Sequence, residues 1–274
     1  GIRMSINILA LIVAVMYFLT SMLAFRCLKC SASRVIEPQN RTYLLALSAT
    51  LLFHAILLKL QIVTPEGLKL SFGHTVSLVM WLIVLLYLLA ATVRPVTNLG
   101  IIVLPLAILA LLVGALLPGN YILARGMPLM NLHIAVAVLA YSLLALSGIQ
   151  ALIINSQEKA LRNHQSSYLN KQLPPLETME SLLFSMITLG FGLLTLTILS
   201  ALLFFEQIFD RPFALTHHIV FSTGAWLVFG IFLLGHWRWG WRGRNAVHWT
   251  LGGVILLVLG YFGTKFVLEF LIRS

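Results

Sequence analysis

The chain has 274 residues, of which 60% are hydrophobic and only 9% charged, with a mean hydropathy of +0.99. A water-soluble domain cannot hide that much apolar surface, so composition excludes a soluble enzyme or binding module and indicates a polytopic membrane protein. The formal charge of +10 comes from 18 basic residues against 8 acids. With so few acids, placement of the bases matters more than their sum, and no nucleic-acid partner is inferred.

A bilayer core is crossed by ~20 helical residues. Eight apolar runs reach that length, near 5–25, 43–63, 75–93, 99–117, 131–154, 181–205, 217–236 and 249–271. The first has a single preceding charge, Arg3, and no small-x-small cleavage site before RCLKC, so it reads as a retained anchor. Cys27-Leu28-Lys29-Cys30 follows. A structural zinc site needs four ligands and a covalent haem site needs His after the second Cys, where this chain has Ser31. The pair reads as reduced thiols.

The second run buries His54, with Lys59 five residues on. The third begins beside His74 and the fifth beside His133. The one long polar insert, SQEKALRNHQSSYLNKQLPPLETME, carries His164 and Pro174-Pro175, and reads as a connector whose end starts the next helix near Glu177 or Thr178. Glu206 and Asp210 lie four residues apart beyond the sixth run and read as solvated boundary acids. The seventh run opens with His217 and His218 and closes with His236, just before a tryptophan- and arginine-rich collar, GHWRWGWRGR, and then His248. The eighth carries Gly252, Gly253, Gly260 and Gly263, which permit close helix approach. It also carries Tyr261, Lys265 and Glu269 at i, i+4 and i+8, where the last two can pair and snorkel outward.

Loops 26–42, 94–98, 155–180 and 237–248 hold Arg26, Lys29, Arg34, Arg41, Arg94, Lys159, Arg162, Lys171, Arg238, Arg242 and Arg244. The opposite side holds Arg3, Lys69, Arg125, Arg211 and Arg273. The positive-inside rule puts the richer set in the cytoplasm. The expected fold is therefore an all-α polytopic helix bundle of about eight transmembrane helices, one membrane domain over 1–274, with both termini on the periplasmic side of a bacterial inner membrane.

In this orientation His74, His133, His217 and His218 fall at the outer ends of helices three, five and seven. Neutral imidazoles from facing helices can ligate haem iron axially, and a histidine inside a membrane is a functional candidate by default. His133, His217 and His218 are the candidate iron ligands. His236 and His54 are further candidates for contact with a cofactor, although a buried His54 is equally suited to bonding a hydroxyl or carbonyl of a neighbouring helix. Eighteen residues at ~100° each bring His236 back to the face of His218, ~27 Å along the axis. Ser222, Ala225, Phe229 and Phe232 lie between them. That stripe suits a porphyrin passing along a bundle and ordinary helix packing equally. No paired carboxylates or nucleophile–base pair converge, so no enzyme is expected, and the scarcity of acids at mid-membrane argues against an ion-driven pump.

Three segments, HIAVAVLAYSLLALSGIQALI (His133–Ile153), AWLVFGIFLLGHWRWGWRGR (Ala225–Arg244) and GYFGTKFV (Gly260–Val267), resemble the cytochrome c assembly superfamily. That group includes the CcsA- and CcmC-like haem handlers, and the likeness is strongest to its HemX/YpjD-like inner-membrane branch. It spans most of residues 131–267, while the first half matches mainly in helix count. The resemblance implies haem bound near the outer face for cytochrome c maturation. It maps a family haem-ligand histidine onto His133, with Tyr141 in the run that follows, and an inner histidine onto His236. The family's outer W-G-x-x-W-x-W-D segment is replaced here by FFEQIFDRPFALTHH, and past the last predicted helix LEFLIRS carries no second outer histidine. His217 or His218 would stand in for it.

Two functions follow. One is haem binding or handling linked to cytochrome c assembly or haem homeostasis. The other is a non-catalytic membrane partner that regulates or stabilises another membrane complex, the tryptophan-rich haem platform having been lost. A transporter of small or apolar solutes is a third reading.

Overall fold

Helix α1 (Ile2–Ser31) opens the computed structural model, which describes residues 2–31, 38–65, 67–93, 96–117, 122–124, 128–163, 173–205 and 217–263. It is followed by α2 (Pro38–Ile62), strands β1 (Val63–Thr64) and β2 (Gly67–Lys69), α3 (Phe72–Val93), α4 (Thr97–Leu116) and β3 (Ile122–Ala124). Then come α5 (Pro128–Arg162), α6 (Leu176–Leu203), α7 (His217–Trp239) and α8 (Arg244–Val258), the last running into a π-turn over Leu259–Gly263. Among the described residues eight helices are long and apolar enough to cross a membrane. They coincide with the eight apolar runs of the sequence, and the chain is a multi-pass membrane protein. A backbone in hydrocarbon must satisfy its own N–H and C=O groups, which the helix does within one segment.

Several helices outrun their apolar stretch. α5 continues to Arg162 instead of ending near 154, α6 starts at Leu176, and α7 ends at Trp239. α8 starts at Arg244, not 249, which moves Arg244 and His248 from a loop into its first turns. Hydropathy falls off where polar side chains begin, whereas the i→i−4 ladder continues into the headgroup region. The hairpin-like sheet, β1 antiparallel to β2 and β2 antiparallel to β3, was not expected from periodicity, because its strands are only two or three residues long.

The helices divide into two compact units. In the first, α1 packs on α2 and α4, and α3 packs on α2 and α4. Its core holds Tyr17, Tyr43, Leu47, Leu57, Tyr87, Leu99 and Leu104, all fully buried. Hydroxyls tie it together: Tyr43 and Tyr87 are hydrogen bonded at 2.6 Å, and Thr20 and Thr50 at 3.2 Å. Gly73 lets α3 approach α4, since a Cβ there would lie 2.7 Å from the Leu117 carbonyl oxygen.

In the second unit α5 packs on α6 and α8, and α7 packs on α6 and α8. α5 is its most buried span, 61% of its most apolar window being enclosed against 22% for α1. Glycines again mark close approach. Gly253 of α8 lies under the Phe229 ring of α7, and Gly190 of α6 lies against Leu144 of α5. Phe229 and Phe232 are fully buried, with Ser222 and Ala225 buried above them, so the α7 stripe is the packed inner face of this helix. Leu11, Phe18, Leu189, Leu196 and Ile231 are exposed, the lipid-facing complement expected where tails are as apolar as leucine.

Candidate functional site

His133 enters α5 in its second turn and reaches Ser200 of α6, Nδ1 to Oγ at 2.8 Å. The Ser200 hydroxyl donates its own proton to the Thr197 carbonyl at 2.9 Å. Ser200 Oγ is therefore the acceptor, Nδ1–H of His133 the donor, and the imidazole lone pair is fixed on Nε2. A ring held through Nδ1 with its lone pair on Nε2 is the usual arrangement of an iron- or zinc-binding histidine.

His218, in the first turn of α7, belongs to the same locality. Its Nε2 lies 3.3 Å from the Tyr141 hydroxyl of α5, which also bonds Ser222 of α7 at 3.0 Å. Tyr261, on the π-turn that follows α8, sets its ring centroid 5.7 Å from both His218 and Tyr141. Tyr141, His218, Ser222 and Tyr261 thus form one polar and aromatic cluster inside the second unit, and the His133–Ser200 pair lies two turns before Tyr141 along α5. π-Turns interrupt the regular ladder and recur at functional sites. His217 is exposed on the neighbouring face of α7.

The other histidines lie elsewhere. His54 is fully buried in the first unit, where Tyr17 of α1 meets its Nδ1 at 2.8 Å and Ser77 of α3 meets its Nε2 at 3.0 Å. With both nitrogens hydrogen bonded, this imidazole joins three helices and offers no lone pair to a metal in this conformation. His74 is buried with Nδ1 at 2.8 Å from Ser71 Oγ. His248 is exposed on α8. His164, Glu206, Asp210, Lys265 and Glu269 lie outside the described residues.

His236, near the end of α7, donates Nδ1–H to the Trp241 carbonyl at 2.9 Å, across the turn that leads into α8. Its ring stacks on Phe184 of α6 at 3.4 Å between centroids, and Phe184 in turn stacks on Phe232 at 5.4 Å. A cleft of about 560 Å³ opens beside it, lined on α6 by Glu177, Glu180, Ser181, Ser185 and Thr188, and on the turn by Arg242. Glu180 Oε1 accepts the Gly243 N–H at 2.8 Å, where the chain adopts φ +57. Trp239, Trp241 and Trp249 stack in series, with centroids 6.1 and 5.5 Å apart.

The sequence pointed to His133, His218 and Tyr141 but not to Ser200, Ser222 or Tyr261 as their partners, because single hydroxyls on apolar helices give no periodic signal. Glu180 and Phe184 were missed because their partners, Gly243 and His236, are distant in the chain and meet them only through packing. Among the described residues no group of three or more His, Cys, Asp or Glu side chains could hold a bare metal ion.

A family model described as cytochrome C assembly protein matches residues 42–272. The inner membrane protein YpjD of Escherichia coli (strain K12) is 30% identical over 235 residues, covering 83% of this chain and 87% of that protein. An uncharacterized 28.8 kDa protein from the nifR3-like 5'region of Azospirillum brasilense is 34% identical over 147 residues, 52% of each chain. Protein HemX of Brevibacillus brevis is 24% identical over 131 residues, 48% of each.

Proposed function

The chain belongs to the cytochrome c assembly protein family, and on that premise we propose that it is an inner-membrane protein that binds haem through His133 and His218. Membership in itself supports a role in cytochrome c biogenesis or haem handling. The observation that carries the finer reading is that His218 of α7 joins Tyr141, Ser222 and Tyr261 in one cluster, while His133, bonded to Ser200, lies two turns before Tyr141 on α5.

The donor set suits the group. Two imidazoles on different helices are the axial pair that haem iron accepts, and Tyr141 and Tyr261 supply aromatic surface for a macrocycle. His133 is oriented by Ser200, with Nε2 as its ligating atom. His218 would give up its 3.3 Å contact with Tyr141 or be steered by it. His217, one residue earlier and exposed, is the alternative second ligand. When bound, haem supplies the iron that these imidazoles hold, and the protein contributes position and an apolar surround.

His54 and His236 are left out of this ligand set. His54 has both ring nitrogens engaged by hydroxyls. The His236 cleft is lined by the acids Glu177 and Glu180, which suit an anionic haem poorly, and one face of its ring is covered by Phe184.

The test is absorbance. Protein purified after expression with haem supply is expected to show a Soret band that is strongly reduced in His133→Ala and in His218→Ala, with helical content unchanged. Absence of a band under any haem supply would overturn the assignment.

The second reading, a non-catalytic membrane partner of another complex, is favoured by the tryptophan-free stretch FFEQIFDRPFALTHH ahead of α7. A stoichiometric partner whose co-purification is indifferent to His133→Ala and His218→Ala would select it.

A further inference from the structure

We propose that the cleft beside His236 binds the headgroup of a zwitterionic phospholipid bearing a primary ammonium, a phosphoethanolamine lipid. The collar residues alone, three arginines among tryptophans, suggest affinity for anions. The fold changes that reading by bringing two acids from α6 against one of the arginines.

The cleft joins opposite charges without pairing them. Glu177, Glu180 and Arg242 line the same space, yet the ion pair found among the described residues is Glu158–Arg162, and Arg242 is not bridged to either acid. Glu180 is committed to the Gly243 N–H and holds the α7–α8 turn in place. Glu177 is exposed one turn away. An ammonium at Glu177 and a phosphate at Arg242 would complete this arrangement, each through a charge-assisted hydrogen bond. His236 adds an acceptor: its Nδ1–H is used by the Trp241 carbonyl, so its lone pair is on Nε2 and can take an ammonium N–H.

Depth and shape select a lipid over a soluble zwitterion. Trp237 and Trp239 are 67% and 69% exposed beside the cleft, which is the signature of a helix end at headgroup level. The lining continues along α6 from Glu177 to Leu189, a rise of ~18 Å. Its residues run from Glu177 and Glu180 past Ser181, Phe184 and Ser185 to Thr188 and Leu189. Ser185 already donates to the Ser181 carbonyl at 2.9 Å and keeps its oxygen lone pairs for an outside donor. A lipid with its headgroup at Glu177 and Arg242 would lay its chains along this face toward Leu189.

The chemistry also discriminates between headgroups. A phosphoglycerol headgroup brings only negative charge against two carboxylates. A phosphocholine headgroup has the right charges, but its quaternary nitrogen has no N–H for Glu177 or Nε2 of His236 to accept. The primary ammonium satisfies both.

Native mass spectrometry of the detergent-purified full chain, titrated with matched-chain phosphatidylethanolamine, phosphatidylcholine and phosphatidylglycerol, tests this. The ethanolamine lipid is expected to be retained roughly tenfold more tightly than the other two, the ratio that one charge-assisted hydrogen bond supports. Glu177→Gln should remove the preference over phosphatidylcholine, and Arg242→Ala should weaken all three lipids. Both residues are exposed, and circular dichroism checks that the variants keep their helices. Equal retention of the three lipids by the unaltered protein, or a preference for phosphatidylglycerol, would overturn the proposal without any variant. The Soret band is expected to be untouched by either substitution, so failure here is separable from failure of the haem assignment.

Discussion

His54 and His133 are both membrane histidines held by serine, yet the fold gives them different work. His133 is bonded through Nδ1 to Ser200 of α6, whereas both nitrogens of His54 are bonded, by Tyr17 and Ser77. The sequence placed both in membrane spans and could not separate them, because their partners lie 67 and 23 to 37 positions away and bonding distance is a property of packing. The consequence is measurable. His54→Leu strips the Tyr17 and Ser77 hydroxyls of their shared partner inside an apolar core and should cost about 1–2 kcal/mol, seen as a lower unfolding midpoint in detergent. The same substitution should leave any Soret band unchanged. Loss of the band in a variant that still unfolds cooperatively would return His54 to the ligand set.

Between helices, glycine spacing and helix length decide how the elements fit. The sequence displayed Gly252 and Gly253 side by side, and composition gave no reason to rank them. In the fold, a Cβ on Gly253 would meet three atoms of the Phe229 ring at 2.5 to 2.9 Å, while one on Gly252 meets nothing within 4 Å. Phe229 is fully buried and its ring cannot swing away. Gly253→Ala should therefore destabilise the second unit by about 1–3 kcal/mol through overpacking. Gly252→Ala should be neutral, or stabilise by up to ~1 kcal/mol through helix propensity. Thermal unfolding of the pair in one detergent checks this. Equal effects would mean that α7 and α8 do not cross at Gly253. Helix length was less legible than helix number. α5 has 35 residues, ~52 Å of helix against a ~30 Å hydrocarbon core. Its last turns, with Glu158 paired to Arg162 at 3.9 Å, therefore run on beyond the apolar window.

For the whole molecule, the sequence carried what geometry alone does not: which way the bundle faces. Apolar length fixes eight spans in either orientation, and only the asymmetry of the bases chooses between them. Eleven lysines and arginines fall on one side and five on the other. Each base near a membrane boundary resists translocation, so the positive-inside rule predicts that the richer side stays in the cytoplasm. That orientation would put His133 and the His218–Tyr141 cluster at the periplasmic end of the second unit, and the Arg242 cleft at the cytoplasmic end. An even number of spans would return the chain to the side on which it began, and the positive-inside rule then predicts both termini in the periplasm. A C-terminal alkaline phosphatase fusion is accordingly expected to be active in intact cells, and a phosphatase inserted after Arg162 inactive. The reverse pattern would overturn the orientation. It would also move the histidine cluster to the cytoplasmic face, where haem held by His133 and His218 could not be presented outward for cytochrome c assembly. Topology is thus the hinge between haem delivery and haem storage, and two fusions decide it.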